Sequence, residues 1–111
     1  MILETIIGLG ALFLVVNYWE EIVNWLKNLV VSIHEALINI AHAIDVLAQK
    51  VKNFIIEFIY KVYYKQQGKW IEEKKIREIP ESEVPPHIRN KVKNRETIVN
   101  KEIEQELGLT L

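Results

Sequence analysis

Apolar residues recur every seven positions from Ile2 to Phe58. One series runs Ile2, Leu9, Val16, Val23, Val30, Leu37, Ile44, Val51 and Phe58; a second, three residues later, runs Leu12, Trp19, Leu26, Ile33, Ile40, Leu47 and Phe54. Together they are the a and d positions of a coiled-coil-like helix. No proline precedes Pro80, and no glycine lies between Gly10 and Gly68, so the usual turn residues do not interrupt the pattern. The periodicity predicts a mainly α fold: one long N-terminal helix, membrane-anchored or held in an oligomeric bundle, followed by a small mixed C-terminal module.

Three segments follow from how the pattern changes. Residues 1–19 form an apolar segment with Glu4 as its only charged side chain. Their length in helix, with Tyr18 and Trp19 at the end and Trp25 just past it, fits a membrane anchor with an interface belt. The lysines follow it, which places the C-terminal module on the cytoplasmic side of a single-pass protein. A basic leader region is missing, so the segment is expected to be retained rather than cleaved. Residues 20–67 form an amphipathic heptad helix whose seam is Val23, Leu26, Val30, Ile33, Leu37, Ile40, Ile44, Leu47, Val51, Phe54 and Phe58. Its opposite, polar face carries Asn28, Glu35, Asn39, His42, Asp45 and Gln49. Asn17 and Glu20 have the spacing of a capping box, a point where the helix could restart.

A helix from Ile2 to Gln66 would be about 98 Å long, against a radius of gyration of about 13 Å for a compact chain of this size. Apolar residues also occupy flanking positions (Ile22, Leu29, Ala36, Ala41, Ala43), widening the stripe beyond what a two-stranded seam needs. These features predict self-association above the dimer, with the lipid bilayer as the other partner.

Residues 68–111 are more charged. Gly68 is expected to end the helix as a C′ residue. Trp70–Ile79 suits a strand or extended arm, or a continuation of the helix, His87–Val92 a short helix after Pro85 and Pro86, and Arg95–Val99 a short strand. Asn100 is a candidate cap for a last helix, Lys101–Leu107, with Gly108 beyond it.

Composition adds exclusions. The formal net charge is −1, which exerts no general pull on nucleic acid. Residues 1–60 hold three basic against six acidic side chains, and residues 61–111 eleven against nine. With no cysteine, disulfides and zinc–thiolate sites are ruled out. His34, Glu35 and His42 invite a metal reading, but the histidines are eight apart rather than the four that would place two ligands on one helical face. Rings of Glu35, His42 and Asp45 contributed by several helices could instead line a lumen. Arg89, Lys91, Lys93 and Arg95 form a basic cluster diluted by Glu96 and without interleaved aromatics, which suits a solvated surface. No phosphate loop or nucleophile motif is present. The expectation is a non-enzyme with no cofactor, no metal and no small-molecule substrate.

The layout is similar in architecture to holin-like proteins and small membrane toxins, although no motif carries the likeness. It leads to the expectation of a pore or membrane-disrupting ring. The alternative is a soluble coiled-coil structural or adaptor protein whose helix bundles with itself or a partner.

Overall fold

The computed structural model describes residues 13–111. The chain is a mixed α/β fold rather than a long helix, with a Cα radius of gyration of 13.9 Å. Strand β1 (Phe13–Val15) leads into helix α1 (Trp19–Ala36). Strands β2 (His42–Lys52), β3 (Ile55–Gln66) and β4 (Lys69–Pro80) form a meander. A 3₁₀ turn (Glu81–Glu83), the short helix α2 (Pro86–Arg89), strand β5 (Thr97–Ile98) and helix α3 (Asn100–Leu107) complete it. The sheet order is β1-β4-β3-β2-β5, with β1 parallel to β4 and the other neighbours antiparallel.

The first half of the heptad pattern does form a helix. Ile22, Leu26, Leu29, Val30 and Ile33 lie on its buried stripe, and Glu20 and Glu21 occupy its first turn, where carboxylates complement the helix dipole. The N-cap is Tyr18, with no side-chain cap bond, so Asn17 does not begin a capping box. The helix ends at Leu37, and Asn39, at φ 67°, turns the chain back. Asparagine is one of the few residues that tolerate this left-handed conformation.

From His42 onward, β-sheet replaces the expected helix. This stretch is dense in β-branched and aromatic residues, which suit a pleated, half-buried surface. The β2–β3 turn holds Phe54 at φ 65°, and Gln67 (φ 51°) with Gly68 (φ 77°) makes the two-residue β3–β4 turn. Positive φ at both central positions is the type I′ geometry that matches strand twist. Gly68 is therefore a hairpin residue, not a helix C′, and the boundary drawn after residue 67 falls inside this turn.

One face of the sheet carries Ile44, Val46 and Ala48 of β2, Ile56, Phe58, Tyr60, Val62 and Tyr64 of β3, and Ile79 of β4. These pack with the α1 stripe and Leu37. Val84, Ile88, Val92, Val99, Ile103 and Leu107 join the same cluster, so the C-terminal residues help build the core. On the opposite face Leu47, Ile59 and Ile76 form a second row, in register across β2, β3 and β4. The chain's own sheet covers the apolar stripe of α1. The inference from an uncovered stripe to partner copies therefore loses its premise, and neither the coiled-coil bundle nor the pore stands.

No helix among the described residues is long and apolar enough to cross a membrane. Within the proposed anchor, Phe13–Val15 is a strand and Trp19 opens a helix bearing Glu20, Glu21, Lys27 and Glu35. The single-pass assignment, its cytoplasmic C-terminal module and the lipid partner are withdrawn on these grounds. Residues 1–12 of the anchor, including Ile2, Leu9 and Leu12, lie outside the described residues.

Candidate functional site

A groove of about 560 Å³ lies between α1 and β4, within the volume range of small-ligand sites. Helical spacing brings Glu21, Asn24, Trp25, Asn28, Leu29 and Ser32 to its α1 wall. Period-two alternation brings Lys75 and Arg77 to the helix-facing side of β4, opposite Tyr60 and Phe58 of β3 in the ladder. Leu14 pairs with Arg77 in the β1–β4 ladder and reaches the groove rim, half exposed.

Arg77 is the distinctive group here. Its guanidinium carbon lies 4.9 Å from the centroid of the Trp25 ring, a cation–π stack. Its Nε is buried and has no hydrogen-bond partner among the described residues. Burial lowers the Arg77 pKa, and the nearby Glu21 carboxylate opposes that shift; an arginine stays charged throughout. Among the described residues, neither Lys75 nor Arg77 belongs to any of the ion pairs, which join Lys50 to Glu81, Lys61 to Glu96, His87 to Glu106 and Lys91 to Glu102.

Beneath α1 the polar line continues along the sheet. The Tyr64 hydroxyl donates to Glu73 Oε1 at 3.0 Å, while Glu73 Oε2 and the Tyr60 hydroxyl are buried without partners among the described residues. Desolvation pushes the Glu73 carboxyl up, with the Tyr64 bond and Lys75 pulling the other way. Burial also raises the Tyr60 phenol.

The residues singled out from sequence are dispersed. Of the heptad seam, Leu26, Val30, Ile33, Leu37, Ile44 and Phe58 are core residues, and Val23 packs at the core's margin. Leu47 lies on the opposite sheet face, Val51 at the β2 bulge, Ile40 in the α1–β2 turn, and Phe54 is 77% exposed. Of the polar face, only Asn28 lines the groove. Glu35 is exposed near the end of α1, Asn39 makes the turn, and His42 begins β2. Asp45 and Gln49 stand opposite Lys61 and Glu57 in the β2–β3 ladder. Tyr18 is exposed, Trp19 packs on Phe58 with centroids 5.4 Å apart, and Trp25 carries Arg77. Sequence reasoning missed Lys75 and Arg77. The available signal was that Glu73, Lys75 and Arg77 alternate in phase with Ile71 and Ile79, placing three charges on a strand's inward face.

Comparison with protein-family models, with curated proteins and with solved structures finds no match to this chain.

Proposed function

We propose that the chain is a recognition domain whose α1–β4 groove captures a short, acidic, extended peptide segment of another protein. The observation that carries this reading is Arg77, held against the Trp25 ring at the groove wall and in no ion pair among the described residues. A carboxylate is the ligand group best matched to a guanidinium. Lys75 adds a second positive charge on the same wall, and Asn24, Asn28 and Ser32 face it with groups that can pair with a peptide backbone. Leu14 and Leu29 supply apolar contact. The role is binding rather than catalysis.

The test is titration of the labelled chain with a ten-residue peptide of alternating Glu and Val, beside its Gln-for-Glu counterpart, followed by amide NMR shifts and Trp fluorescence. The acidic peptide should perturb α1 and β4 around Trp25 and Arg77, and Arg77→Gln should weaken it about tenfold or more, the scale of a lost charge-assisted bond. Equal binding of the neutral peptide, or shifts confined to other elements, would overturn the reading.

A further inference from the structure

The fold closes a pair that helical spacing kept apart. His34 sits in the last turn of α1 and His42 is the first residue of β2. Between them, Leu37 N–H bonds Ile33 O at 2.9 Å, Ile40 N–H bonds Leu37 O at 2.9 Å, and Asn39 reverses the chain. His42 shares the sheet face of Ile44 and Val46, the face that α1 covers, so its ring meets the end of the helix. The two imidazole centroids lie 5.2 Å apart with their planes at 79°.

A second observation orients one ring. His42 Nδ1 lies 3.0 Å from Ile40 O. A carbonyl only accepts, so Nδ1 carries the hydrogen and the neutral ring presents its lone pair at Nε2. A backbone carbonyl on one ring nitrogen is the usual support for a histidine that binds metal through the other.

We infer that His34 and His42 form a two-imidazole site for a divalent transition cation of the zinc or nickel type. A metal about 2.1 Å from a ring nitrogen lies about 3.2 Å from that ring's centroid; two imidazoles at a tetrahedral angle then have centroids about 5.2 Å apart. That is the separation the fold provides. His34 is exposed, and χ2 is a broad torsion for imidazole, so its ring is free to turn a nitrogen toward His42. Imidazole is a preferred ligand for these ions. Among the described residues no group of three or more His, Asp or Glu side chains is gathered for a metal, so the remaining coordination positions face solvent and take water. A bound cation would tie the end of α1 to the start of β2.

Calorimetric titration of the intact chain with Zn²⁺ alone, in a non-chelating buffer, tests this. One ion should bind per chain, with His34→Ala and His42→Ala each weakening binding about tenfold or more. His87, paired with Glu106 at 3.2 Å, is the control, and His87→Ala should bind as the parent does. A zinc-dependent rise in Tm should occur in the parent and vanish in His34→Ala, whose site on the helix surface is not part of the core. Unchanged affinity in both site variants, a loss that follows His87 instead, or no binding by the parent would each overturn the assignment.

Discussion

The Asn100 carboxamide stands in for a peptide group beside Val46. Its Oδ1 accepts the Val46 N–H at 2.7 Å, and its Nδ2 donates to Ile44 O at 3.2 Å, with Asp45 Oδ1 at 3.3 Å. Strand β5 pairs with β2 only at Leu47 and Ala48, so the side chain extends the ladder where the backbone leaves it. Val99 N–H bonds Val46 O at 2.8 Å, and Lys50 N–H bonds Lys93 O at 2.8 Å. The outer edge of β2 is thereby occupied by contacts from the C-terminal part of the chain, which removes a template for strand-to-strand association.

Asn100→Ala leaves the Val46 N–H and the Ile44 carbonyl without that partner. It is expected to destabilise the fold by about 1–3 kcal/mol. Asn100→Asp keeps the acceptor but loses the donor and places a carboxylate beside Asp45, so it should not restore stability. Urea unfolding midpoints decide this, and an unchanged midpoint for Asn100→Ala would show the pairing to be energetically idle.

Glu73 makes stability depend on pH. Desolvation raises its folded pKa above the ordinary carboxylate value of 4.5, so the folded state holds this proton more tightly than the unfolded chain. The associated stability is present below 4.5 and lost as pH rises through the raised folded value. Glu57, raised by burial and then by Glu78, acts in the same direction. Glu73→Gln, which can still accept from Tyr64, should raise Tm at pH 7, and its advantage should disappear below about pH 4. A Tm difference that does not vary with pH would contradict this origin.

Phe54 is a bulky residue at φ 65° with 77% of its surface exposed. The left-handed conformation costs a side chain about 1–2 kcal/mol, and little apolar burial offsets it here. Phe54→Gly should therefore be neutral to stabilising by about 1 kcal/mol, despite deleting a phenyl ring. A loss of stability in thermal unfolding would show that the ring is used.

Ile33 of α1 is 1% exposed, at the centre of the contact with the sheet. Ile33→Ala is expected to cost about 2–5 kcal/mol. Val31, on the same helix and 40% exposed, should tolerate alanine within about 0.5 kcal/mol. Equal losses at both positions would contradict the orientation of α1.

Some of this architecture is legible residue by residue. The spacing of Ile22, Leu26, Leu29, Val30 and Ile33 marks the buried stripe of α1, and the prolines with Asn100 and Gly108 bracket the short C-terminal helices. Asn100 also shows the limit of such reading. Its position suits a helix cap, yet the N-cap is Val99 and the Asn100 amide is spent on β2, fifty-four residues away in sequence from Val46. The groove was legible only as a strand with charges on its inward face; its other wall comes from a helix about fifty residues earlier.

Local sequence by itself determined where apolar surface must be buried along α1 and which residues favour extended backbone. Tertiary structure decided that His42–Gln66 is two strands rather than the second half of a helix. The two series lie three residues apart, an odd spacing, so in a strand they fall on opposite faces; here Ile44 serves the α1 face and Leu47 the other. Because both faces bury apolar residues, the heptad stays in phase through the sheet and cannot distinguish it from a helix. The turns that break it rest on Asn39, Phe54 and Gln67 at positive φ. Gly68 marks the turn that Gln67 shares, but at Phe54 no glycine or proline stands and the conformation is held by the paired strands on either side.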